Sequence, residues 1–229
     1  IQHFRITEGD VALISDDTQM TIYTANGLLI DDLKTAYLEW YDTQTNYGAL
    51  PENPKCWLSS LPAMYSRRAP GNTCLSALHA IKYGNIANNN SKGCGGIMRV
   101  APIGCITNDP DIAIRKACHA ARLTHKHPMG FLPAGALART IQIIMAKGGN
   151  IDKEGFERLL KTAVRSVWNL RDEQGSKEYV NDVDELYDNT LKAINLAKTS
   201  TEDEPAIKTL GEGWTGDEAW YIAVYCAMK

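Results

Sequence analysis

The sequence predicts an all-α fold, one compact multi-helix domain over residues 1–229. Three observations predict it. Apolar residues recur three and four apart through most of the chain, period-two alternation is scarce, and capping residues with proline punctuate the pattern. No long Gly/Ser linker and no repeat of fixed period divides the 229 residues, a length that one core accommodates.

The first helical stretch covers 15–41, with Ile22, Ala25, Leu28, Leu29, Leu33, Ala36, Tyr37 and Trp40 on one face. Ser15 is expected to cap it, and Asp16 and Asp17 complement the positive helix start. Gly27 and Asp31-Asp32 weaken its middle, which predicts two helices meeting at a bend. A polar, proline-containing loop follows at 46–54. Asn72 or Thr73 opens a short helix through Leu75, Leu78 and Ile81, before the Asn88-Asn89-Asn90 loop. Asn108-Asp109-Pro110 is a strong start signal, and Ala113, Ala117, Ala120 and Ala121 behind it let neighbouring helices approach closely. Further helices are expected over 130–147, stopped by Gly148-Gly149, and over 152–170, 179–198 and 215–228. The 179–198 helix is the more polar, with Asp182, Asp184 and Glu185 on a solvated face. The stretch 171–177 reads as a polar loop.

Composition narrows the function. With 24 Lys and Arg against 27 Asp and Glu, the net charge of −3 argues against a broad nucleic-acid-binding surface but leaves room for a local basic pocket. Nor is there an aromatic-basic stripe for stacking single-stranded bases. No uninterrupted apolar run approaches the roughly 18 residues of a membrane span, and no signal-peptide pattern follows Ile1. The six cysteines form no Cys-x-x-Cys pair, so free thiols and a reducing, cytoplasmic location are expected.

Three segments carry chemistry. Ser15-Asp16-Asp17-Thr18 gathers carboxylates and hydroxyls, hard oxygen donors that suit Mg²⁺ or Mn²⁺; as a plain helix start the same residues are equally at home. Ser91-Lys92-Gly93-Cys94-Gly95-Gly96-Ile97-Met98-Arg99 places three glycines in four positions. Their N–H groups, with charge from Lys92 or Arg99, fit a phosphate or pyrophosphate cradle, or else a tight turn. The run lacks the Walker ending and the dinucleotide fingerprint. Cys94 has no evident activating partner and reads as a packed or pocket-lining thiol. Leu123-Thr124-His125-Lys126-His127-Pro128 is a polar break whose histidines cap, bond backbone or touch a ligand; with Cys118 and His119 it matches no trusted zinc spacing. His3 and His79 have no interpretable context, and Asp109, Asp111 and Asp217-Glu218 read as helix starts.

In order, these segments together resemble the ADP-ribosylglycohydrolase family, including the dinitrogenase reductase-activating glycohydrolases. The match is carried by Ser15 to Thr21, Ser91 to Gly104, and Leu123-Thr124-His125 with His127-Pro128. Arg68-Ala69-Pro70-Gly71-Asn72-Thr73 and Leu210-Gly211-Glu212-Gly213-Trp214 add to it. The resemblance implies an all-α hydrolase with a binuclear Mg²⁺ or Mn²⁺ site that cleaves a glycosidic bond between ADP-ribose and an acceptor. It implies that Ser15, Asp16 and Asp17 are metal ligands, Asp16 and Asp17 also being catalytic. Gly93, Cys94, Gly95, Gly96 and Met98 would line the diphosphate-ribose site, with Thr124 and His125 facing the same pocket. Its partners would be an ADP-ribosylated protein or a small-molecule substrate, with no membrane.

The chain departs from that pattern in three places. Nothing of the family's usual Gly-Asp-containing opening precedes Ile1, no Gly-Asp-x-Asp-Thr segment follows Trp214, and Lys126 stands where glycine is common. The expectation is therefore a domain lacking its N- and C-terminal segments and the second ligand set, with its own activity open. The alternatives are a non-catalytic, crystallin-like relative that binds ADP-ribose or serves a structural role, and a different metal-dependent phosphohydrolase on a helical scaffold.

Overall fold

Where Asp31-Asp32 interrupts the first helical stretch, the chain does turn. In the computed structural model, which describes residues 13–45, 52–168, 170 and 179–229, α1 (Asp16–Leu29) ends before Asp31 at φ +51°, and α2 (Leu33–Thr45) begins. Asp32 starts α2 actively: its carboxylate accepts from Thr35 N–H at 2.9 Å and Thr35 Oγ1 at 2.6 Å. Ser15 departs from the expected capping role. Its backbone is extended, but its hydroxyl donates to Asp17 Oδ2 at 2.7 Å instead of bonding an orphan N–H group.

The remaining helices are α3 (Asn72–Lys82), α4 (Ala101–Ile106), α5 (Pro110–Arg122), α6 (Pro128–Ala146), α7 (Lys153–Val167), α8 (Val180–Thr199), α9 (Asp203–Lys208) and α10 (Gly216–Met228). Short 3-10 turns occupy Trp57–Ser60, Pro62–Tyr65 and Cys94–Gly96, and there is no strand among the described residues. The fold is all-α. Asp109 caps α5, accepting from the N–H groups of Asp111 and Ile112 at 2.8 and 3.1 Å, with Pro110 in the first turn. α6 starts two residues before the expected point because His127 Nδ1 caps it, accepting from Met129 N–H at 3.0 Å. The polar loops expected at 171–177 and over 46–51 fall outside the described residues, as does His3. His79 is held by Tyr41, whose hydroxyl lies 2.9 Å from its Nδ1.

α6 is the centre of the packing, touching α4, α5, α7, α8 and α10. By length and composition it could cross a membrane, although Arg139, Thr140 and Gln142 interrupt its apolar run. Its Phe131, Leu132, Ala134, Ala136 and Ala138 are all buried in the protein's own core, which accounts for that composition. The alanine face of α5 lies against it as the small residues predict. All six cysteines are free thiols.

Candidate functional site

α1 presents Ser15, Asp16 and Asp17 at its N-terminal end, and the Arg68–Gly71 loop wraps that end. Asp16 N–H donates to Arg68 O at 2.9 Å, and Gly71 N–H donates to Asp16 Oδ2 at 3.2 Å. Asp16 is buried and Asp17 exposed. Burial pushes the Asp16 carboxyl above its ordinary pKa; the Gly71 bond opposes the rise and the charge of Asp17 adds to it. Two adjacent carboxylates, with a hydroxyl beside them, fit the oxygen chemistry of a divalent cation. They are a partial set: no cluster of three His, Cys, Asp or Glu suited to a metal occurs among the described residues. Water and substrate oxygens normally complete such a shell for Mg²⁺.

One turn further along α1, Thr21 Oγ1 lies 2.8 Å from Asp17 O and 3.2 Å from Met98 O, tying the helix to the end of the glycine segment 77 residues away. The acidic turn and the glycine turn are thereby neighbours. Cys94 reports the same proximity: burial, then the charge of Asp17, raises its thiol pKa, so Cys94 lines the site as a protonated thiol.

The glycine turn differs from an open anion cradle. Gly93 pairs with Thr215 in an isolated antiparallel bridge; Cys94 N–H donates to Trp214 O at 3.0 Å, and Gly216 N–H to Lys92 O at 2.7 Å. Gly93 N–H donates to Ser91 Oγ at 3.2 Å. Two of the N–H groups expected to face an anion are thus already engaged. The glycines answer a packing demand. A Cβ on Gly96 would stand 2.3 Å from Gly130 O, and one on Gly95 would stand 2.9 Å from His125 Cε1. Arg99 does not add charge to a ligand as the sequence suggested. It is fully buried, stacked 4.5 Å from the Tyr37 ring centroid, and it donates to Ala120 O and Thr124 Oγ1, both at 2.7 Å. Lys92 is the exposed cation of the segment.

Thr124 is likewise fully buried, so it lies behind the site and does not face the pocket; the guanidinium holds it there. Its oxygen accepts from Arg99 and lies 2.9 Å from His125 Nδ1. The hydroxyl also reaches Ala121 O at 3.4 Å, and the ring's Nε2 lies on the glycine side. Burial first, and the Arg99 charge second, lower the His125 pKa to about 3, so the imidazole is neutral at physiological pH. His127 and His119 are not its partners: one caps α6, and the other is exposed on α5. Cys118 is buried with its thiol pushed up to about 12.

Sequence reasoning missed two supports. Asn89 donates to Thr124 O at 2.9 Å and accepts from Lys126 N–H at 3.2 Å and Ser91 N–H at 3.1 Å, joining the asparagine loop to the His125 break. Glu218 accepts from Gly213 N–H at 3.2 Å and so holds the Gly211–Trp214 turn beside Cys94. Their signals were weak, because asparagine runs and acidic first turns are ordinary features.

An acidic turn, a glycine turn and a neutral imidazole are thus brought together on a helical scaffold. The chain belongs to the ADP-ribosylglycohydrolase family, whose model matches residues 2–229. Among curated relatives it is 29% identical over 147 residues to the Homo sapiens protein named ADP-ribosylhydrolase ARH3, covering 61% of this chain and 38% of that protein. It is 26% identical over 148 residues to a chloroplastic/mitochondrial Glutamyl-tRNA(Gln) amidotransferase component of Ostreococcus tauri, covering 62% of this chain and 26% of that one. The matches thus span less than half the length of either relative. No solved structure matches the chain.

Proposed function

We propose that this chain carries part of the active site of a hydrolase that cleaves the glycosidic bond between ADP-ribose and a modified acceptor. One observation carries the reading: the Thr21–Met98 bond brings the Ser15–Asp17 turn and the Gly93–Met98 turn next to each other. Family membership and the likeness to a protein named as an ADP-ribosylhydrolase support it. In this reading Ser15, Asp16 and Asp17 hold Mg²⁺ or Mn²⁺, which when bound supplies a Lewis acid for the substrate oxygens and the attacking water. Gly93, Cys94, Gly95, Gly96 and Met98 shape the diphosphate-ribose seat, and Lys92 adds positive charge at its mouth. His125 lies under the glycines and presents the Nε2 edge of a neutral ring to them. Thr124 positions His125 without touching substrate. Bond cleavage leaves positive charge on the ribose, which the Asp16 and Asp17 carboxylates stabilise electrostatically. Water adds its hydroxyl to the anomeric carbon and its proton goes to the leaving nitrogen or oxygen. The protein is assigned to the cytoplasm in the same reading.

The test is release of ADP-ribose from an ADP-ribosylated peptide with Mg²⁺, with EDTA, and with the double variant Asp16→Ala, Asp17→Ala. Loss of at least a hundredfold in the variant, about 2.7 kcal/mol of barrier, is expected; undiminished release would sink the metal assignment. The second reading, a non-catalytic ADP-ribose binder, draws on the two-carboxylate donor set. Calorimetric binding of ADP-ribose without turnover would select it.

A further inference from the structure

A separate cavity of about 330 Å³ opens on the outer side of the α5–α6 break, away from the glycine turn. Arg115, His119 and Arg122 line it from one face of α5, at the i, i+4, i+7 spacing of a helical stripe. Lys126 joins them from the break. The backbone at 125–126 divides the two sites: His125 turns to the glycines, while the next side chain faces this cavity.

Among the described residues the charge here is unbalanced. No carboxylate lines the cavity among the described residues, and Arg115, Arg122 and Lys126 make no ion pair with a described residue. Asp111, one turn before Arg115 on α5, acts on Arg139. Lys116, the neighbouring cation, is paired with Asp31 at 3.4 Å and points elsewhere. Burial, then the Arg122 charge, lowers the Lys126 pKa, and burial with both cations lowers that of His119. The Arg122 guanidinium is fixed over two rings, 4.9 Å from Phe131 and 5.7 Å from Tyr179, which leaves its N–H edge for another acceptor.

We infer that this cavity is a binding site for a phosphate-bearing anion of nucleotide size or smaller, distinct from the glycine turn. Two guanidiniums and an ammonium exceed what one carboxylate can neutralise, whereas a phosphomonoester or diphosphate supplies two or more charges and the paired oxygens that arginine forks match. The volume lies at the lower end of small-ligand sites. The inference stands apart from the hydrolase reading and needs no divalent metal.

Calorimetric titration of the whole chain in EDTA tests it, with inorganic pyrophosphate and AMP as probes. One-to-one binding of both is expected, weakened at least tenfold by Arg122→Gln and by Lys126→Gln and unchanged by Lys116→Gln. Lys126→Gln leaves the Arg122 stack intact, so the test survives if Arg122→Gln fails to fold. Equal affinity for the two probes assigns recognition to the phosphate oxygens, as inferred. Binding of AMP without pyrophosphate, absence of pyrophosphate binding at millimolar concentration, or unaltered binding in the Lys126→Gln variant would overturn the inference. So would loss of pyrophosphate binding in Lys92→Gln alone, which would move the anion to the glycine turn.

Discussion

The acidic turn at 15–17 and the glycine turn at 93–98 are neighbours but are built on opposite terms. Asp17 and Ser15 face solvent, bond mainly each other and support nothing behind them. The glycine turn is set against Gly130 O, the His125 ring and the Trp214 carbonyl, and almost every group in it answers a neighbour. The contrast separates residues kept for chemistry from residues kept for shape. The solvent-facing Asp17 has no structural duty that another polar residue would fail, whereas Gly96, where a Cβ would stand 2.3 Å from Gly130 O, has no substitute.

The largest effect should come from Gly96→Val. Its Cβ would fall 2.3 Å from Gly130 O, a backbone atom at the start of α6 that cannot move aside. A loss of about 3 kcal/mol is expected, read as a lowered midpoint in urea. Arg99→Met comes next. It removes the donors to Ala120 O and Thr124 Oγ1, and we expect a loss of about 2–3 kcal/mol in the same measurement, with Arg99→Lys failing to restore it.

The third prediction concerns acid. His125 has a folded pKa near 3 against an ordinary 6.5, so below pH 6.5 the unfolded chain gains a proton that the folded chain refuses. Stability therefore falls as pH drops from about 6.5 toward 3, by about 1.4 kcal/mol per pH unit from this group. Urea midpoints at pH 7.5 and 5.5 should differ in the natural protein, and His125→Gln should narrow the difference. The smallest effect belongs to Asp17→Asn, which removes one exposed partner of Ser15 and relieves the charge acting on Asp16. A change within about 0.5 kcal/mol is expected by thermal melting without metal. A cost matching that of Gly96→Val would break the comparison.

Much of the scaffold was legible. His127-Pro128 reads only as part of a polar break, whereas Asp109-Pro110 announced α5, because capping side chains and proline act within a few residues of each other. The bend at Asp31-Asp32 was legible for the same reason. The 3-10 turns around Trp57 and Pro62, and the six-residue α4 and α9, carry too few residues for a periodic signal. At the site, Ser15, Asp16, Asp17 and the glycines were identified from local pattern and resemblance. The inward turn of Arg99 and the burial of Thr124 were not, because they depend on Tyr37 and Ala120, which only the tertiary fold brings near.

The bridge between Gly93 and Thr215 also constrains the order of assembly. Its two flanking bonds, Cys94 N–H to Trp214 O and Gly216 N–H to Lys92 O, close a loop of well over a hundred residues, and such closures carry their entropy cost before their contacts form. The glycine turn reaches its final shape only when α10 has docked. A turn from the first half of the chain thus takes its last bonds from the final helix, so fraying of α10 would release it.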